Sequence, residues 1–191
     1  MSGTQAVAKA GFTYNITHLR RVQVMQEMGL SIDGLERVNI NGVDAVVLST
    51  ETVENLIPTQ GLNYMLGAAL TGVSQSSTWY LAPFEGNYTP VAGDTAATFP
   101  AAATECTAYN EATRVVWTPG AIAAGSVSNS ASQAVFTMNA TKTVYGIAQL
   151  SVSTKSAITG TLVSIALFAV PKAVVATDIL NVTNTITATS A

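Results

Sequence analysis

The chain has 191 residues, 48% of them hydrophobic and only 10% charged, with a formal net charge of −3. Charged residues make up about a quarter of an ordinary soluble protein; here Thr, Ser, Ala, Asn and Gly replace them, giving a weakly self-repelling surface suited to packing against neighbours. No basic stripe offers a nucleic acid a footing, Cys106 stands alone and excludes an internal disulfide, and one cysteine with one histidine, His18, is too small a set for a structural metal site.

The opening "MSGTQAVAKAGFTYN" lacks the charged start and apolar core of a secretory signal. The run "GTLVSIALFAV" at 160–170 is too short to span a bilayer and meets Pro171. A soluble protein made in the cytoplasm, with no membrane or nucleic-acid partner, is the expectation. Four Asn-x-Thr triplets, at Asn15, Asn87, Asn139 and Asn181, are read as products of the threonine-rich composition rather than as glycan acceptors.

Ile16, Leu19, Val22, Met25 and Met28 recur at helical spacing and stop at Gly29, which predicts a short helix capped by Asn15, with a strand through "RRVQVMQ" as the alternative. In "RVNINGVDAVVLS", Val38 and Ile40, then Val43, Ala45 and Val47, alternate on either side of Asn41-Gly42, a strong hairpin signal. Pro58-Thr59 opens a second helix in which Leu62, Met65, Leu66, Ala69 and Leu70 share one face, and Gly72 closes it.

After residue 72 the pattern changes. "STWYLAPF", "ECTAY", "TRVVWTP", "AVFTMN", "TVYGIAQLS", "GTLVSIALFAV" and "ILNVTNTITAT" are seven strand-like runs bounded by Gly, Pro, Asn or Ser. The sixth is apolar on both faces and reads as a central strand. The whole predicts an all-β antiparallel sandwich of jelly-roll or immunoglobulin-like type over 73–191, preceded at 1–72 by an N-terminal arm, a β-hairpin and one or two short helices.

Reactive chemistry is sparse. Any Ser-His-Asp or Cys-His arrangement would need His18, which sits beside Arg20 and Arg21 and reads as a solvated or capping histidine. Glu85, Asp94, Glu105, Glu111 and Asp178 mostly adjoin turn residues, where acids bond local backbone or face water. A glycosidase built on Glu105 or Asp94 near Trp117 or Trp79 is the competing reading. The segment "EGNYTPVAGDTAA" reads as a connection with Asp94 bonding the amides after it, and Tyr88 and Asp94 as candidate loop contacts. Neither catalytic residues, cofactor nor metal are expected.

The blocks "ENLIPTQGLNYMLGAAL", "TWYLAPFEGNYTPVAGDTAATF", "ECTAYNEATRVVWTPGA" and "GSVSNSASQAVFTMNATKTVYGIAQLS", with the last two strand runs, resemble tailed-bacteriophage virion structural proteins of the head decoration (cement) family. The most specific parts are Asn55-Leu56 with Gly61-Leu62-Asn63, Thr107-Tyr109-Glu111-Arg114, and Asn129-Ser130-Ala131-Ser132. The resemblance covers about 54–191 and implies a non-enzymatic β-sandwich on the capsid surface, bound to the major capsid protein. It also implies a homo-oligomer, with a trimer favoured. A tail- or neck-associated protein and a glycan-binding virion module are the alternatives.

Residues 9–37 hold Lys9, Arg20, Arg21 and Arg37 against Glu27, Asp33 and Glu36, the one mildly positive region. The expectation is an arm that docks on an acidic capsid surface through Phe12, Tyr14 and Leu19, with Arg20 and Arg21 at the rim. A segment that folds back over a sheet edge is the plainer reading of the same residues.

Overall fold

Phe12, Tyr14, Ile16 and His18 alternate with Gly11, Thr13, Asn15 and Thr17, so apolar and hydroxylic groups fall on opposite sides at every second residue. In the computed structural model, which describes residues 9–40 and 42–189, this stretch is a strand, β1 (Lys9–Arg21). The helix expected over 16–29 shrinks to α1 (Val22–Glu27), where Val22 and Met25 are buried against Val46. The helical spacing was real but short. A two-residue period already running from Phe12, with a strand available on each side, outweighs it.

The hairpin forms as expected: β2 (Arg37–Ile40) pairs with β3 (Val43–Glu54), Ile40 facing Val43. Gly42 sits at φ 85°, a conformation open mainly to glycine. Next come α2 (Thr59–Leu66), continued by one wider π-type turn over Gly67–Thr71, and β4 (Trp79–Phe84). They are followed by α3 (Phe99–Ala102), β5 (Val115–Trp117), β6 (Ser126–Ser128) and β7 (Ala134–Thr137). Three long strands close the chain: β8 (Lys142–Leu150), β9 (Leu162–Val174) and β10 (Ile179–Thr189).

Two antiparallel sheets make a sandwich-like arrangement, as the all-β expectation had it. The first sheet runs β2-β3-β1-β10-β6, with β7 also on β10; the second runs β5-β4-β8-β9. β1 lies between β3 and β10, paired along most of its length to both. The first sheet therefore draws strands from both sides of residue 72. Of the seven expected runs, "ECTAY" makes only isolated bridges at Glu105 and Tyr109, while β6 was not foreseen.

β9 is also not the central strand its composition suggested. It ends the second sheet, and its free edge is covered where Leu56 exchanges backbone hydrogen bonds with Ile165, N to O distances of 2.9 and 3.0 Å. Its apolar residues on both faces are buried in two separate cores, Ala166 and Phe168 in one and Leu162 and Ile165 in the other, and an edge position is where Pro171 is tolerated.

The main core, between the sheets, joins Tyr14, Ile16, Leu81, Phe136, Ile147, Ala166, Phe168 and Val182. Polar links cross it as well. Tyr14 Oη meets Ser164 Oγ, Asn184 Nδ2 donates to Gln149 Oε1 at 2.8 Å, and Lys172 Nζ pairs with Glu51 Oε2 at 2.5 Å. A second core lies on the far side of the second sheet, where the 85–114 connection folds Ala96, Phe99 and Ala103 onto Phe84, Leu150 and Ile165. A small third cluster, Leu19, Ala45 and Ile179, sits on the outer face of the first sheet under Val38, Ile40 and Val47.

Candidate functional site

The side chains expected to dock on a partner lie mostly inside the molecule. Phe12, Tyr14 and Leu19 are buried, and Arg20 is nearly so. Tyr14 belongs to the main core, and burial pushes its phenol well above the ordinary value despite the bond to Ser164. Arg21 is half-buried, its Nε enclosed without a hydrogen bond. The docking-arm expectation is corrected on this point: aromatic anchors on a strand paired on both edges are core residues, not exposed contacts.

Arg20 instead forks onto Asp178, Nε to Oδ1 at 2.8 Å and Nη2 to Oδ2 at 2.7 Å. His18 Nε2 lies 2.9 Å from Asp178 Oδ2, and the Val175 amide donates to the same oxygen at 3.0 Å. Burial would raise the Asp178 carboxyl, but hydrogen bonds from Arg20, His18 and Val175 together hold it below the ordinary carboxylate value. His18 is thus buried and engaged, where the sequence suggested a solvated or capping role. The cluster ties β1 to the β9–β10 turn.

A second buried fork joins Glu105 to Arg114, Nε to Oε1 at 2.9 Å and Nη2 to Oε2 at 2.6 Å. The Ser156 amide also donates to Glu105, while Arg114 donates to the carbonyls of Val152 and Ala157. These bonds fasten the 151–161 loop to the 105–114 connection, neither of which has a ladder there to hold it.

Asp94 and Tyr88 do come together. Tyr88 Oη donates to Asp94 Oδ1 at 2.5 Å, and the Val91 amide donates to Oδ2 at 2.9 Å. Asp94 thus takes an amide three residues before it rather than those after it. Bonded to that carboxylate, partly desolvated and facing its charge, the Tyr88 phenol is pushed up to about 12. Asp94 is buried and holds its own loop together; Tyr88 keeps a partly open face.

An accessible apolar ridge lies elsewhere, on α2 and the turn that continues it. Leu62, Met65, Leu66, Ala69 and Leu70 share one face, and an apolar helix face ordinarily packs on the core. Instead Gly61 and Gly67 are the buried positions, and the leucines point to water. Gly61 explains the inversion: a Cβ there would stand 2.6 Å from the Val163 carbonyl oxygen, so only a glycine face fits so close to β9. Beside the ridge, Tyr64 stacks edge-on against Trp79 at 5.2 Å, and the two rings with Met65 border a shallow apolar opening over Trp117 and Val163.

Gln60, which drew no attention in the sequence, holds this helix in place. Its Oε1 accepts from the amides of Ala96 and Leu162, both at 2.9 Å, and its Nε2 donates to the Gly160 carbonyl at 3.3 Å. One side chain thereby joins α2, the 85–114 connection and β9. Nothing in composition marks such a residue, since its partners are backbone groups 36 to 102 positions away.

Among the described residues no cluster of His, Cys, Asp and Glu has the makings of a metal site, and no helix is long and apolar enough to cross a membrane. Cys106 is buried, and that burial raises its thiol. No protein-family model matches the chain, and no curated protein matches it at a significant level.

Proposed function

We propose that this chain is a non-enzymatic structural protein of a tailed-phage virion, binding the outside of the head and reinforcing the shell. Its partner is the major capsid protein, and its working form is a homo-oligomer, with a trimer favoured. The observation that carries the reading is the α2 ridge: Leu62, Leu66, Leu70 and Val73 stand 43%, 58%, 76% and 47% exposed on a charge-poor surface. Apolar area of this kind gains about 25 cal/mol per Å² when a partner covers it. The ridge takes the role first given to Phe12, Tyr14 and Leu19.

Two further observations support the reading. The carboxylates weighed for hydrolysis, Glu105 and Asp94, are buried and bonded within their own loops. The blocks that resemble decoration proteins include "ENLIPTQGLNYMLGAAL", which contains the first part of the ridge.

The test is co-sedimentation with purified heads lacking tails, beside isolated tails and a hydrolysis screen on glycans. Wild-type protein should saturate heads, and the double variant Leu66→Asp/Leu70→Asp should bind at least about tenfold more weakly, since a charge in a desolvated contact costs over a kcal/mol. Both positions are exposed, so the fold should persist, as circular dichroism would verify. Undiminished binding by the double variant removes the ridge as the contact. Retention on tails but not heads selects the tail- or neck-associated alternative, and glycan turnover abolished by Glu105→Gln overturns the non-enzymatic reading.

A further inference from the structure

Side chains from both sheets and from α2 border an opening of about 150 Å³. Its inner wall is formed by Phe12 on β1, Trp117 on β5, Gln149 on β8 and Val163 on β9, all buried. Its rim is formed by Tyr64 and Met65 on α2, Trp79 on β4 and Ile186 on β10, all half-buried. Among the described residues no charged side chain lines it. Gln149 is the one side-chain amide in the lining, and it is only 1% exposed.

That amide is half satisfied. Its Oε1 accepts from Asn184 Nδ2 at 2.8 Å, while its Nε2 makes no hydrogen bond among the described residues. Unlike Asn184 Oδ1, this nitrogen is not fully enclosed, and the little exposure Gln149 keeps opens into the pocket it lines. A nearly buried N–H without an acceptor is costly unless whatever enters the pocket accepts from it. Trp117, the other inner side chain with a donor, is already engaged, its Nε1 on the Asn184 carbonyl at 3.3 Å. The volume suits one six-membered ring: an apolar cavity of about 150 Å³ stays dry and takes up benzene. Aromatic walls could also receive a sugar, but a single amide cannot satisfy a sugar's several hydroxyls, and an uncharged lining disfavours an ionised ligand.

We propose that this opening binds a small neutral molecule, a single apolar ring bearing a terminal carbonyl. The ring packs among Phe12, Trp79 and Trp117, where aromatic contacts add to the area buried, and the carbonyl oxygen accepts from Gln149 Nε2. Because Gln149 belongs to the inner wall, the carbonyl leads the ring in. A peptide carbonyl has chain on both sides and would have to bring both with it, which favours a free molecule over a protein loop. Such binding is independent of what the α2 ridge contacts.

Magnetic-resonance titration of the full-length protein at neutral pH provides the test, read at the Gln149 side-chain amide and at the Trp79 and Trp117 indole N–H groups. The probes are acetophenone, isopropenylbenzene, which has the same shape with a methylene in place of the oxygen, and acetyl-proline methylamide. Acetophenone should shift all of these signals saturably, and isopropenylbenzene should shift the indoles far more than the Gln149 amide. Gln149→Met should weaken acetophenone about fivefold and leave isopropenylbenzene within about twofold. If that variant does not fold, the Gln149 amide shift in wild type carries the same distinction. Met65→Trp, at the half-buried rim, should fill the opening and weaken both probes about tenfold, with an unchanged circular dichroism spectrum. The ridge variant Leu66→Asp/Leu70→Asp should bind acetophenone as wild type does, which separates failure here from failure of the capsid reading. No saturable shift with acetophenone, equal Gln149 amide shifts from acetophenone and isopropenylbenzene, or full binding by Met65→Trp overturns the proposal. Tighter binding of acetyl-proline methylamide than of acetophenone overturns the assignment to a free molecule.

Discussion

Two regions of this molecule solve one problem with the same pair of groups. At the β1 seam Asp178 takes a bidentate arginine, Arg20, and in the loop layer Glu105 takes another, Arg114. The first stands among long, continuous ladders, β1 being paired on both edges. The second stands where ladders are missing, and Arg114 also supplies bonds to two loop carbonyls. The difference lies in what remains if the fork is cut. The seam keeps its strand pairing, whereas the 151–161 loop and the 105–114 connection lose much of what joins them.

The largest effect should therefore come from the loop layer. Arg114→Ala leaves Glu105 buried and unpaired, with an expected loss of about 3–5 kcal/mol, measured by urea denaturation. Replacing both partners, Glu105→Leu with Arg114→Met, should recover part of that loss, because no charge is then stranded. A double variant no better than the single one would mean that the loop carbonyls matter more than the charge.

Cutting the seam should cost less. Asp178→Asn has an expected loss of about 3 kcal/mol, at the low end for a buried pair, since Arg20 retains some contact with water. This loss should depend on pH. The folded Asp178 carboxyl lies below its ordinary value, so its contribution is fully present above the unfolded pKa of about 4 and is lost as pH falls through the folded value. The stability gap between wild type and Asp178→Asn should narrow below about pH 4. A gap that stays constant from pH 7 to pH 3 would break the comparison.

Tyr88 offers a probe at the alkaline end. Its phenol is raised to about 12 by Asp94, so the bond contributes below the unfolded pKa of about 10 and is lost as pH climbs through about 12. Ultraviolet titration should show a tyrosine ionising near pH 12 that Tyr88→Phe removes, while the phenols of Tyr14 and Tyr109, raised by burial, stay protonated to still higher pH in both proteins. The smallest effect belongs to Arg37–Asp44, whose side chains are 55% and 65% exposed: Arg37→Ala should change stability by no more than about 0.5 kcal/mol. A loss comparable to that at Arg114 would show that exposure does not rank these pairs.

Much of the architecture was legible from local chemistry. The Asn-Gly hairpin, α2 and most strands after residue 72 could be read because period, turn residues and bounding glycines are properties of short stretches. Residues 16–29 misled for a local reason as well: their apolar positions fit a helix, and only the pairing of Tyr14 with both Val53 and Asn184 decides for a strand.

The candidate surfaces were less legible, because orientation and partnership are settled between segments far apart in the chain. The apolar face of α2 could be read from residues 62–70, but that it faces outward follows from Gly61 pressing on the Val163 carbonyl. Phe12 and Tyr14 could be read as anchors, but not that their partners would be this chain's own core. The sequence by itself determined which segments prefer to be extended and which side of each is apolar. Tertiary structure decided which apolar sides meet, because burial is a property of pairs of surfaces rather than of single ones.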